Sequence, residues 1–343
     1  MTGESIRPRH AAPLALGLAM KFASDLRIHS RISRIRVSRW GAACRGGLSW
    51  LVAAAALMGA AELSARDIHV NNLEGDDRNE GRMPVAGSGL SGPCRSIARG
   101  LFLAHAGDRL ILAKTSEPYR ESITLEGPRH SGVPTQPFRI VGNGAILDGR
   151  QEVRVGAWQP LGDDLYRFPA ARRSLGMLYR EDRPAYPRAR PVSRSTPRTL
   201  RPGEGLLYDG WYYARLDAGR MPSQYPFSAT ALPVGITLYN VQGVIIEDLV
   251  VQGFQQDGVC AADGASDVRL VHLTARGNGR SGVAVCGASR VTVEMGLLAN
   301  NGQAQAWIEG NVVAQFDLCT LPDGSAPALL RDGGRVVRDG KSL

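Results

Sequence analysis

The feature that most constrains this chain is a weak internal repeat. Gln256-Asp-Gly-Val259, Arg280-Ser-Gly-Val283, Gln303-Ala-Gln-Ala306 and Ser325-Ala-Pro-Ala328 follow one another at 24, 23 and 22 residues. A second set, Val244-Ile-Ile246, Val268-Arg-Leu270, Val291-Thr-Val293 and Ala314-Gln-Phe316, recurs at 24, 23 and 23. A unit of this length holds a few short strands and cannot bury its own inward side chains. Stacking units ~4.8 Å apart pairs every strand with its neighbours and makes a continuous apolar column. The sequence therefore predicts an all-β fold, a parallel β-helix of about seven coils. A sandwich of irregular strands leaves the period unexplained. Glycine, 41 of 343 residues against a usual ~7%, fits a turn-rich β protein better than a helical bundle.

The alignment assigns side chains to columns. Val259, Val283, Ala306 and Ala328 share one inward position; Val285, Ile308 and Leu330 share the next; Ile246, Leu270, Val293 and Phe316 share a third. Asn278, Asn301 and Asp323 fall at one turn and predict an amide ladder across coils. Three outward columns are expected: Cys260, Ala284, Trp307 and Leu329; Ala262, Cys286, Glu309 and Arg331; and Asp257, Ser281, Ala304 and Ala326.

The N-terminal half adds a resemblance. Asp67-Ile-His-Val-Asn-Asn-Leu-Glu-Gly-Asp-Asp-Arg-Asn-Glu-Gly81, Gly92-Pro-Cys-Arg-Ser-Ile97, His105-Ala-Gly-Asp-Arg-Leu-Ile-Leu112 and Pro118-Tyr-Arg-Glu-Ser-Ile-Thr-Leu125 resemble the opening of right-handed parallel β-helix proteins of the pectate-lyase-like superfamily. In that family a strand and loop lead to a short helix that caps the first coil. The local chemistry agrees: Ser96 can N-cap, Ile97, Leu101 and Ala104 or His105 share a helical face, and Gly107 can close the helix in the left-handed region. Phe138-Arg-Ile-Val-Gly-Asn-Gly-Ala-Ile-Leu-Asp-Gly149 resembles a second coil. The expected division is a leader over 1–65, cap and first coils over 66–149, an aromatic and Arg-rich β insertion over 150–234, and the remaining coils and tail over 235–343. Within the insertion, residues 203–215 read as a hairpin turning at Asp209-Gly210.

Charge is divided unevenly. The formal net charge is +9, yet residues 1–46 hold nine Lys/Arg against Glu4 and Asp25 and so carry +7; with Glu62 also set aside, residues 66–343 carry +3. That balance gives nucleic acid no electrostatic footprint on the folded part. The uncharged stretch Gly47–Ala61 follows the basic one, in the order of a secretory signal and shorter than the ~20 residues of a membrane span. Cleavage after Ala61 or Ala65 is expected, with a start at Met20 or retention as an uncleaved membrane anchor as alternatives. The expected location is secreted, periplasmic or cell surface. Outside the leader, Cys94, Cys260, Cys286 and Cys319 form neither a disulfide scaffold nor a zinc spacing, and their pairing stays open.

Chemistry is sought on the outward columns. Trp307, beside Glu309 and Arg331, offers a flat face for a sugar ring with polar groups for its hydroxyls; contact with the insertion is its other reading. A glycosidase needs two carboxyl groups about 5–10 Å apart, and Asp263 lies two coils, ~10 Å, from the level of Glu309. Asp257-Gly258 resembles the Asp-Gly step of polygalacturonase-type β-helices, although Ser281-Gly282 stands where a paired Asp is wanted and no Gly-His-Gly occurs. The candidate catalytic residues are thus Asp257, Asp263 and Glu309, and the candidate substrate-binding residues Trp307, Arg331 and Arg280. Their structural alternatives are a turn-forming Asp257, a surface pair of Glu309 with Arg331, and solvated corner arginines at Arg276 and Arg280. A lyase base among lysines is disfavoured, since Lys21, Lys114 and Lys341 all lie outside residues 236–337. No cofactor is expected. The loop Asp76-Asp-Arg-Asn-Glu-Gly81 has oxygen ligands enough for calcium but departs from the EF-hand spacing, and reads first as an Asx-turn loop. The functional expectation is an exported β-helix that binds a polysaccharide or cell-surface glycan along its outward sheet, with cleavage by a hydrolase or lyase route left open. The alternative is a non-catalytic surface or structural module, with self-association through an open C-terminal coil.

Overall fold

The computed structural model describes residues 65–171, 175, 177–180, 190–191, 197–324 and 326–343. The signal peptide or anchor expected in the leader, and Ser325 of the last repeat, fall outside them. Among the described residues no helix is long and apolar enough to cross a membrane.

Three runs of parallel strands wind around one core. The first joins Asp67–Val70, Arg109–Leu112, the start of Phe138–Asp148, the start of Gln242–Gln252, Ser266–Val271, Arg290–Glu294, the end of Ala304–Asp317 and the end of Leu329–Arg338. The second joins Ile123–Glu126, Ile236–Tyr239, Val259–Asp263, Ser281–Val285 and the starts of Ala304–Asp317 and Leu329–Arg338. The third holds the ends of Phe138–Asp148 and Gln242–Gln252, then Thr274–Arg276 and Leu297–Ala299. The chain is a parallel β-helix.

The expected column of Ile246, Leu270, Val293 and Phe316 is present as direct strand neighbours. It continues backward through Ile140, Leu110 and Ile68. All seven are at most 4% exposed, and burying each such side chain contributes about 1.5–3 kcal/mol before chain entropy is set against it.

The last coil corrects the sequence reading. Ala306 faces Leu329 rather than Ala328, and Ile308 faces Arg331 rather than Leu330. The repeat motif suggests 22 residues, but the coil from Ala306 to Leu329 is 23 long, like its predecessor. Its small residues Ala326 and Pro327 stay in the turn, where their carbonyls accept from Gln305 Nε2 and N. A slip of one exchanges inward and outward side chains, so the outward column ends in Leu330, and Asp332, not Arg331, stands beside Glu309.

Turns are stitched by buried amides. Asn278 Oδ1 accepts from Phe254 N, Asn301 Oδ1 accepts from Asn278 N and Nδ2, and Asn301 Nδ2 donates to Gln305 Oε1. The third place in the ladder therefore belongs to Gln305. Asp323, expected there, is exposed and accepts from Ala328 N instead. At the same corner successive main chains touch: a Cβ on Gly302 would lie 2.1 Å from the Gly279 carbonyl oxygen.

The cap is the helix Ile97–Leu103, with Ser96 Oγ accepting from Arg99 N at its start. Glu121, from the first coil, accepts from Ile97 N and Ala98 N, completing the cap from outside the helix. The helix ends at extended Ala104; Gly107, expected to close it, adopts φ +76 in the following turn. His130 ties the helix to the coil, its Nδ1 accepting from Glu126 N while Nε2 bonds the Leu101 carbonyl.

Residues between the coils build a five-stranded and a three-stranded sheet with their own apolar cluster around Trp158, Phe168, Tyr212 and Phe227. The hairpin of Glu204–Tyr208 and Trp211–Arg215 turns at Asp209 (φ 47) and Gly210 (φ 74), as the sequence predicts. The Tyr179 hydroxyl donates to the Gly277 carbonyl, and Met177 lies against Gly302. The insertion is thereby fixed at the coil corner next to the second strand run.

Candidate functional site

The outward face of the second strand run brings together most of the residues singled out from the sequence. Thr124, Thr237, Cys260, Ala284, Trp307 and Leu330 form one row by direct pairing. A second row contains Glu126, Tyr239 and Asp263 in the early coils, and Glu309 and Asp332 in the late ones. The alternation of a β-strand puts Trp307 and Glu309 outside because Ala306 and Ile308 are inside, whereas Asp263, which shares the parity of inward Val259 and Ala261, is turned out by a register shift after Ala261.

Trp307 is half-buried, with its indole Nε1 donating to Glu309 Oε2 at 3.1 Å. Arg280 lies over the indole, its guanidinium carbon 5.4 Å from the ring centroid. Arg280 in turn grips Asp257, Nε to Oδ1 at 2.9 Å and Nη2 to Oδ2 at 2.5 Å, and Ser281 Oγ donates to Asp257 Oδ1 at 2.6 Å. The Asp257 hydrogen bond outweighs burial and raises the Arg280 pKa further. Asp257, Arg280, Trp307 and Glu309 thus form one connected series climbing the coils.

That series changes the standing of Asp257. The sequence places it, with Ser281 and Ala304, on an outward column, but all three are fully buried. The Asp257 carboxylate has no surface for a substrate to reach, and its partners use both oxygens. Removing either member of such a buried pair costs about 3–5 kcal/mol, which makes Asp257 a structural group that fixes Arg280. Arg276, the other corner arginine, donates to Gln252 Oε1.

Asp263 stays outward and exposed, yet its Oδ1 accepts from Gly264 N and Ala288 N, so the carboxylate holds a turn. Glu309 is exposed and bonded to Trp307. Arg331, expected beside Glu309, has turned away, and its guanidinium donates to the carbonyls of Gly333, Gly334 and Leu343. The C-terminal residues fold back on the last strand, where Lys341–Ser342 pairs with Val337 and Arg338.

Tyr239 is the residue that sequence reasoning missed. It is 55% exposed, pairs with Glu126 on one side and Asp263 on the other, and stands three coils from Trp307, about 14 Å at the stacking distance. The signal was present, since Tyr239 precedes Asp263 by 24 residues, one repeat earlier than the alignment began.

Cys260 and Cys286 lie on this face as well, both half-buried and unbridged. The hydrogen bond with Cys286, together with burial, pushes the Cys260 thiol well up, while the same bond and nearby Arg280 hold Cys286 below the ordinary range against burial. In the calcium-candidate loop the carboxylates have other partners. Asp76 accepts from Arg78, whose hydrogen bonds bring it down to about 2, and Asp77 accepts from Arg95 N, Ser96 N and Ser96 Oγ. The bond from Arg78 N to Asp76 Oδ1 is the Asx-turn geometry the sequence suggests.

A separate cleft of about 650 Å³ opens in the insertion, lined in part by Asp163, Arg198, Tyr208, Tyr213 and Arg215. Arg215 donates to the carbonyls of Asp163 and Arg198 there.

No protein-family model matches the chain, and no curated protein does. Among solved structures it is similar to XylC in "The complex structure of XylC with xylose", at 11% identity and TM-score 0.36, over 79% of this chain and 69% of that one. It is also similar to the GH136 lacto-N-biosidase from Eubacterium ramulus, at 13% identity and TM-score 0.38, over 78% of this chain and 43% of that one. The chain thus spans less than half of the lacto-N-biosidase, and the β-helix itself rests on the strand register given above.

Proposed function

We propose that the protein binds a neutral polysaccharide along the outward face between Tyr239 and Trp307. The observation that carries this reading is Trp307, an outward indole held in place by Arg280 and Glu309. A fixed aromatic face costs no ordering on binding and stacks on the apolar face of a sugar ring, while neighbouring carboxylates accept from its hydroxyls. Tyr239 supplies a second aromatic surface further down the same face, so a chain of several sugar units laid along the helix axis meets both. The row Glu126, Asp263, Glu309 and Asp332 is acidic. Arg280 is neutralised by Asp257, so a polyuronate would be repelled.

Binding rather than cleavage is the better reading of these groups. Asp257 is sealed off and Asp263 Oδ1 is engaged with two backbone amides, so of the carboxyl groups singled out from the sequence only Glu309 is both exposed and off the backbone, and its exposed neighbour Asp332 stands on the adjacent strand in the same row rather than across a scissile bond. The glycan would be extracellular or on a cell surface, reached through export directed by the basic leader.

The test is an array of neutral and acidic polysaccharides probed with the wild type, Trp307→Ala and Tyr239→Ala. Neutral glycans retained by the wild type and lost from both variants are expected. Binding that survives both substitutions contradicts the proposal, as does a preference for polyuronates. Release of reducing ends that disappears in Glu309→Gln would replace binding by hydrolysis.

A further inference from the structure

We propose that Cys260 and Cys286 form a two-sulfur site for a soft monovalent cation of the copper(I) type. Cys260 pairs with Ala284, and Cys286 N donates to the Ala261 carbonyl, so Cys286 lies one strand across and two residues along from Cys260 on the same outward face. With strands ~4.8 Å apart and ~3.3 Å per residue, the two Cα atoms are about 8 Å apart. A disulfide needs Cα atoms about 4.4–6.8 Å apart, so this diagonal pair is too wide to bond directly without moving a strand. Both side chains leave the sheet on the same face and are half-buried there, which lets the two sulfurs lean toward each other between the strands.

A diagonal thiol pair of this width suits an inserted ion. Two metal–sulfur bonds of about 2.3 Å set end to end span sulfurs up to about 4.6 Å apart. Zinc and iron require about four ligands in a tetrahedron. Among the described residues no group of three or more His, Cys, Asp or Glu side chains is arranged to hold a metal ion. Thiolate softness selects copper(I), which accepts two-coordinate linear geometry. Binding converts the two thiols and one monocation into a bis-thiolate complex of net charge −1 and releases two protons to buffer. Ser281–Val285 and Val259–Asp263 are central strands paired on both sides, so the sulfurs are carried on a rigid frame. The inference is independent of the glycan reading, because its readout is metal binding.

The experiment titrates the reduced full-length chain with copper(I) against bathocuproine disulfonate, for the wild type, Cys260→Ser and Cys286→Ser. The wild type is expected to withdraw one equivalent more than either variant, and the two variants to behave alike. Equal stoichiometry in all three overturns the proposal. X-ray absorption at the copper edge of the wild type gives an answer that does not depend on the variants folding: two sulfurs at one short distance are expected, and a shell of nitrogen or oxygen contradicts it. Quantitative Cys260–Cys286 disulfide formation under mild diamide also contradicts it, since the Cα atoms would then be within bonding range.

Discussion

Replacing the buried Asn301 by alanine should destabilise this protein strongly, and the loss can be worked out from its partners. Asn301 is fully buried. Its Oδ1 accepts from Asn278 N at 3.0 Å and from Asn278 Nδ2 at 3.1 Å, and its Nδ2 donates to Ala275 O at 3.2 Å and Gln305 Oε1 at 3.0 Å. Truncation strands two Asn278 donors in a dry corner while Gln305 keeps the bond from Asn301 N. At about 1–3 kcal/mol per buried group left without a partner, the expected loss is about 3–5 kcal/mol. Urea unfolding at constant m-value measures it, with exposed Gln303→Ala as a control expected within about 0.5 kcal/mol of the wild type. Asn278→Ala combined with Asn301→Ala should fall short of additivity by about 1 kcal/mol or more, because both remove the same bonds. A loss below about 1 kcal/mol for Asn301→Ala, or strict additivity of the pair, would refute the ladder as a structural element.

Other consequences can be checked in the same way. Leu318, 76% exposed at φ 54, pays the left-handed cost of about 1–2 kcal/mol, so Leu318→Gly should stabilise by about 0.5–1 kcal/mol after glycine's own entropy is deducted; a lowered melting temperature would contradict this. Gly302→Ala drives a methyl group into the Gly279 carbonyl 2.1 Å away and should cost about 2 kcal/mol or more, with a near-neutral urea midpoint as the contrary result. Burial depresses the pKa of His130 although its bond to the Leu101 carbonyl opposes the shift. The native state therefore holds it neutral while the unfolded chain takes up a proton near pH 6.5, so its contribution is present above that pH and is lost as pH falls through and below it. The urea midpoint of the wild type should drop more between pH 7 and pH 5 than that of His130→Gln, and parallel pH profiles would dispose of the assignment.

The coils were legible because period is a geometric quantity: Val259 and Val283, or Ile246 and Leu270, are neighbours as their spacing requires. The last coil was misread because Ser325-Ala-Pro-Ala328 imitates the earlier motif one residue out of phase, and small residues at a turn carry little information about which way they point. The ladder was half legible. Asn278 and Asn301 occupy equivalent turn positions, but Gln305 reaches the same place from inside the next strand with a longer side chain, which no alignment of turns reveals. The site was legible as a face rather than as chemistry. Strand parity puts Trp307 and Glu309 outside, whereas the outward turn of Asp263 comes from a register shift after Ala261, and the folding of Asp257 beneath Arg280 depends on side-chain rotamers and a salt bridge between coils. Tyr239 was within reach of the same repeat.

The central claim is that residues two dozen apart in sequence are stacked neighbours, and methyl nuclear Overhauser contacts test it directly. In the perdeuterated protein with labelled Ile, Leu and Val methyl groups, cross-peaks are predicted between Ile140 and Ile246, Ile246 and Leu270, and Leu270 and Val293. None is expected between Ile140 and Val293, three levels or about 14 Å apart. If the three sequential contacts are missing while the assigned methyl groups are visible, the chain does not coil as described.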